Sequence, residues 1–230
     1  MVGKLYPLDA VTCATEGEGI MQFALVDNIS TEASPGLKGI CPGCRAPLIA
    51  KCGDIKIWHW AHLSADCDSW HEPETAWHRD WKNCFPSNCR EKSHFNHRAD
   101  VIYGDQVFEF QHSSISPHEI EERENLWLQL YDAMYWIIDA KSFQDNFDFR
   151  TIETKQLFRV VSFRWKYPRK CWFTSSAYLL FDLGSEILEI KKLHDSLPCG
   201  GYGYLHPKKH FKNRMLSLLK SNHESQENRC

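Results

Sequence analysis

The stretch that decides the fold is His97-Arg98-Ala99-Asp100-Val101-Ile102-Tyr103-Gly104-Asp105-Gln106-Val107-Phe108-Glu109-Phe110-Gln111. Two β-type runs, over 98–103 and 107–111, flank a Gly104-Asp105 turn, a pattern that predicts an antiparallel hairpin. With a side-chain period of two, Val107, Glu109 and Gln111 share one face, and Phe108 and Phe110 take the other. The phenylalanines need a core, so Glu109 and Gln111 are expected to project together, with Asp100 on the partner strand reaching the same spot. An Asp and a Glu on adjacent strands offer the hard oxygen ligands that Mg²⁺ requires for phosphodiester cleavage, on a stiff frame. Alone, the pattern fits solvated carboxylates better. Its neighbours shift the balance.

Upstream stands Cys41-Pro42-Gly43-Cys44, a knuckle whose two thiolates can converge on Zn²⁺. Expected strands over 47–51 and 55–58, joined by a Gly53-Asp54 turn, bring the chain back carrying His59-Trp60-Ala61-His62. The result is Cys-x2-Cys-x14-His-x2-His, a full tetrahedral set of Cys41, Cys44, His59 and His62. Cys52 and Cys67 compete as ligands, Cys67 more strongly because it follows His62 by five residues. A site closed by four protein ligands is structural rather than catalytic. A helix is predicted from Glu72-Pro73 to Pro86. It lines up Glu74, His78 and Lys82 on one stripe at i, i+4 and i+8. Laid over the hairpin, Glu74 completes an acidic site, with His78 or Lys82 near the phosphate. A solvated Glu–His–Lys ladder fits the helix equally well.

Downstream, after a short strand near 93–95 and the hairpin itself, Ser116-Pro117-His118-Glu119 reads as a capping box with Pro at the first helical position. Apolar residues continue at helical spacing from Ile120 to Met134. Residues 135–139 read as a buried strand. The order is α, β, β, β, α, β, and a helical crossover makes the Glu109 and Trp136 strands parallel. Beyond 140, Arg164–Phe173 interleaves four cations with four aromatics, a composition suited to pairing phosphates and stacking bases, or to a solvated loop over buried aromatics. Strands are predicted over 178–182 and 187–190, a glycine-rich turn over 198–203, and a basic helix over 210–220. Near the start, 20–26 reads as a strand followed by a polar loop.

The 230 residues, 43% apolar and 25% charged, suit an α/β (α+β) fold with one good core and a small appendage. Boundaries are expected at 1–70 for the zinc module, 71–140 for the core and 141–230 for a C-terminal extension. A net charge of −3 gives no global pull on nucleic acid, so binding requires a local patch. No apolar run approaches a membrane span and no signal pattern opens the chain, so a cytoplasmic protein is expected, its ten cysteines reduced.

The pieces CPGC, HWAH, CDSW, PETAWHRDWK, HRADV, EFQHS and ERENLW…YWIID, in that order over about residues 40–140, resemble the competence protein CoiA-like family of PD-(D/E)XK-type nucleases. The segments near Trp165 and Gly200–Tyr204 are similar more weakly. The resemblance implies a restriction-endonuclease-like αβββαβ core and a Mg²⁺- or Mn²⁺-dependent nuclease acting on DNA in competence, recombination or foreign-DNA processing. It also implies Glu74, Asp100 and Glu109 as acidic metal-site residues, and Gln111 where the wider superfamily usually has Lys. The resemblance also implies that His112, Ser113 and Arg123 face substrate or brace the site. A homodimer, or partner proteins of recombination or defence, completes the expectation. The rival from another class is a DNA-binding protein on a nuclease fold without catalysis.

Overall fold

The computed structural model describes residues 20–63, 68, 70, 74–95, 97–215 and 217. Six short strands form a first sheet: β1 (Ile20–Met21), β2 (Phe23–Val26), β3 (Ile29–Glu32), β4 (Lys38–Ile40), β5 (Pro47–Lys51) and β6 (His59–His62). Their order is β1-β6-β5-β4-β2-β3. Asp27 and Asn28 both take positive φ, 51° and 64°, and turn β2 directly into β3. The segment after 26 is therefore strand where a loop was expected. The returning strand is also displaced: it is His59–His62 itself, not 55–58, and Lys51 pairs with His59. Met21, Ala24, Leu48 and Trp60 fill the core of this sheet.

The expected α, β, β, β, α, β order follows as α1 (Ala76–Lys82), β7 (Arg90–His94), β8 (His97–Tyr103), β9 (Gln106–Gln111), α2 (Pro117–Leu130) and β10 (Ala133–Asp139). Strands β7, β8 and β9 form an antiparallel meander, and β10 lies parallel to β9 with Trp136 opposite Glu109. Helix α1 starts later than its stripe suggested. Thr75 is its N-cap, accepting the His78 N–H and donating its own N–H to the His78 ring, so Glu74 precedes the helix. Helix α2 begins with the Ser116 hydroxyl accepting the Glu119 N–H at 3.1 Å and ends at Leu130, which leaves Met134 in the strand.

Both faces of the hairpin are covered. Phe108 and Phe110 pack with Trp81 and Phe85, while Val107 joins Trp127, Met134 and Trp136 on the other side. The chain beyond 140 enlarges the same sheet. It adds β11 (Phe147–Thr154), β12 (Arg159–Trp165), β13 (Tyr178–Asp182), β14 (Glu186–His194) and β15 (Gly200–Pro207), in the order β11-β12-β15-β14-β13-β10-β9-β8-β7. The expected turn over 198–203 is instead largely the start of β15, inside the sheet. Its glycines answer to crowding: a Cβ on Gly200, Gly201 or Gly203 would stand 2.1, 1.9 or 2.3 Å from a neighbouring carbonyl oxygen. Trp165 and Trp172 lie in the core, so they offer no surface for base stacking, whereas Tyr167 is exposed. Residues 208–215 are helical. Among the described residues no helix is long and apolar enough to cross a membrane.

Candidate active site

The meander sets three acids in a transverse row. Val101 pairs with Phe108, so Asp100 and Glu109 are the next residues along that ladder. On the other side, Arg90 pairs with Val101 and Lys92 with Ala99, which puts Glu91 opposite Asp100. Asp100 Oδ2 accepts the Phe110 N–H at 2.9 Å, fixing this carboxylate beside the Glu109 strand. Asp68, Glu74, Asp100 and Glu109 all line one cleft with about 30 Å³ of free space, enough for a water or a single ion. The expected trio is thus brought together, although Glu74 arrives from the segment before α1.

Cations balance these acids from the helices. Lys82, the last residue of α1, places Nζ 2.7 Å from Glu74, 2.9 Å from Glu91 and 3.2 Å from Asp100. Burial alone would favour the neutral amine, but the three carboxylates outweigh it and raise the Lys82 pKa, so the ammonium persists. Arg123 of α2 reaches Glu109 at 3.4 Å and also holds Glu119 and the Trp70 carbonyl. That contact does not neutralise Glu109. Burial first, then the Asp100 carboxylate, push Glu109 well above the ordinary carboxylate range against the pull of Arg123.

The lining of the cleft takes in one more expected residue and leaves out Gln111 and His112. His78 also lines it, but both ring nitrogens serve nearby groups: Nδ1 the Thr75 N–H, and Nε2, 3.0 Å away, the Phe110 carbonyl. Gln111 is buried on the face shared with Glu109, and its amide donates to the Ser113 carbonyl at 3.4 Å. His112 is half-exposed, its Nδ1 2.8 Å from Asp139. Two acids escaped the sequence reading. Asp68 accepts backbone N–H groups from Trp70 and Arg98, and Glu91 ties the row to the first sheet. Glu91 sits in an Arg-Glu-Lys run that looks like ordinary surface charge, so no local signal marks it.

The ligating atoms of Cys41, Cys44 and His62 lie within 4.8 Å of one another, with Cys44 Sγ 3.4 Å from His62 Nε2. Two soft sulfurs and an imidazole make a group that can hold a metal ion. His59 does not join it, a correction with a simple cause. Within strand β6, residues three apart point to opposite faces. The His59 ring instead meets the Ile57 carbonyl at 2.7 Å. Cys52 is half-buried and absent from the group, and Cys67 lies outside the described residues.

Two family models match the chain. The family model "Competence protein CoiA, N-terminal domain" matches residues 37–69, which hold Cys41, Cys44 and His62. "Competence protein CoiA, nuclease-like domain" matches residues 92–215, from the acidic meander to the far side of the sheet. No curated protein and no solved structure matches significantly. The nuclease-like match alone spans more than half of the 230 residues, and the chain belongs to the competence protein CoiA family.

Proposed function

We propose that the chain is a Mg²⁺- or Mn²⁺-dependent nuclease that hydrolyses phosphodiester bonds of DNA, in competence, recombination or foreign-DNA processing. One observation carries the reading: Asp100 and Glu109 stand side by side on neighbouring strands in a cleft sized for an ion. The donors are all oxygen, which suits a hard cation. Burial first, and then the Asp100 carboxylate, disfavour the charged form of Glu109, and a divalent ion would offset both.

Asp100 and Glu109 would hold the ion, with Glu74 assisting. An ion held there would supply Lewis acidity, making water more acidic and offsetting charge on the phosphate. Asp100 is kept on station by the Phe110 N–H and by Lys82, and Glu109 by Arg123. Lys82 brings to the site the positive charge that an amide at position 111 cannot offer. Gln111 is buried outside the lining of the cleft, its amide held by the Ser113 carbonyl, and takes no step in this reading.

In the same reading Cys41, Cys44 and His62 hold a structural Zn²⁺. Cys67, which the sequence spacing favours over Cys52, is the candidate for the fourth ligand. The decisive assay offers single- and double-stranded DNA and RNA with Mg²⁺, Mn²⁺ or EDTA. Cleavage of DNA that EDTA abolishes is the expected result. Tight binding with no cleavage in either metal would replace this reading with a DNA-binding protein on a nuclease fold.

A further inference from the structure

Glu91 is buried in the seam between the two sheets and reaches in both directions. Toward the first sheet its carboxylate accepts the Gln22 N–H at 2.9 Å and the Phe23 N–H at 3.1 Å, where β1 breaks into β2. Toward the cleft it accepts from Lys82 Nζ at 2.9 Å. Its backbone has φ of +50°, a left-handed conformation that Glu rarely adopts and that persists only where surroundings dictate it. Directly opposing like charges destabilise a sheet, yet Glu91 faces Asp100, with Lys82 bridging the two.

We propose that Glu91 is a positioning residue of the cleavage site, clamping Lys82 against Asp100 and using backbone amides of the N-terminal sheet as its anchor. This rests on the nuclease reading of the cleft. Free of Glu91, Lys82 would share itself between Glu74 and Asp100 alone, drawing the Asp100 carboxylate away from an incoming ion. The sheet that carries Cys41, Cys44 and His62 therefore builds part of the cleavage site. Residues 92–215 without it would form an incomplete one.

The test uses the full chain and two variants. Glu91→Gln keeps length and an acceptor for the Gln22 amide but removes the charge that holds Lys82. Glu91→Asp keeps the charge on a shorter arm. Three experiments are run: cleavage kinetics for kcat and KM, Mn²⁺ affinity, and the Nζ ammonium resonance of Lys82 with its water exchange. Glu91→Gln is expected to lower kcat and Mn²⁺ affinity about 10–100-fold, a range typical of residues that support a metal site through another group. KM should stay within about twofold, and the Lys82 resonance should shift and exchange faster. Glu91→Asp should fall between this variant and wild type.

A Glu91→Gln protein that is less stable but keeps wild-type kcat, Mn²⁺ affinity and Lys82 resonance would reduce Glu91 to a strut between sheets. If that variant does not fold, a wild-type kcat and Lys82 resonance in Glu91→Asp overturn the proposal equally. Absence of cleavage by the wild type would sink the nuclease reading instead, and the Lys82 resonance would still decide whether Glu91 positions it.

Discussion

Lys82 Nζ stands 3.2 Å from Asp100 Oδ1, reaching strand β8 from the last residue of helix α1. The positive charge beside Asp100 thus comes from α1, while position 111 on the Glu109 strand carries an amide. The cost of that arrangement is a deeply buried lysine, which is tolerable only because Glu74, Glu91 and Asp100 all face it.

Replacing Lys82 with Met should therefore be severe. Three carboxylates would lose their shared counter-charge, and breaking a buried ion network costs about 3–5 kcal/mol. Urea unfolding measures this directly. A loss below about 1 kcal/mol, the value of an exposed pair, would show that the network is wetter than its geometry implies.

The same network predicts an acid-sensitive stability. Burial opposes ionisation of Glu91, but Lys82, Arg98 and the Gln22 N–H prevail and hold its pKa at about 2, against an ordinary 4.5. A depressed carboxyl stabilises the fold fully above its unfolded pKa and loses that contribution as pH falls through the folded one. The stability difference between wild type and Glu91→Gln should accordingly be largest above pH 4.5 and close toward pH 2. A difference that stays flat across this window would contradict the pairing.

The metal knuckle makes its own prediction. Purified without chelator, the chain should carry one zinc by elemental analysis. Cys41→Ser, Cys44→Ser, His62→Ala and Cys67→Ser should each lose it together with much of the folding stability, since a closed site's binding energy is folding energy. His59→Ala should keep the zinc, because that ring lies outside the group. Zinc lost with His59 and retained with Cys67 would restore the ligand set that the spacing suggests.

What the sequence disclosed and what it hid differ in physical kind. The hairpin was legible because turn chemistry and alternation are local, and so was the crossover after Ser116, where a cap and an N-terminal proline coincide. The His59 register was not. A strand placed only a few residues off changes which side chains share a face, and the true strand begins at His59. Gly200, Gly201 and Gly203 read as a turn because the carbonyls that crowd them belong to β12 and β14, whose pairing with this segment the local pattern does not show. Glu91 was hidden for the same reason, since its partners Gln22 and Lys82 are joined to it only by the fold.

The run from Arg164 to Phe173 divides in a testable way. Trp165 is core, so Trp165→Ala should cost about 3–5 kcal/mol of stability. Arg164, Lys166, Arg169 and Lys170 are candidates for pairing with phosphates, although Lys166 pairs with Asp148 and Arg169 covers the Phe143 ring. Changing all four to Gln should flatten the salt dependence of DNA binding by up to about 0.7–0.9 for each phosphate that is no longer neutralised. An unchanged slope would assign the run to scaffold.

Glu109 carries the sharpest prediction. It is buried next to Asp100, within reach of Arg123, and its carboxyl is pushed toward the protonated form by burial and by that neighbour. Glu109→Gln keeps shape and hydrogen bonding while removing the charge that would bind a cation. The fold and the zinc should survive, and cleavage should fall about 10³-fold or more, several kcal/mol of transition-state stabilisation. Asp100→Asn should behave alike, and the double variant should be little worse than either single one, because the two carboxylates act as a unit. Gln111→Lys is the informative companion. With Lys82 already supplying charge beside Asp100, a second lysine is dispensable, and activity should be retained. Should Glu109→Gln cleave as fast as wild type at limiting metal, the carboxylate pair is not the cleavage site, and nucleic-acid binding without catalysis becomes the better account of the cleft.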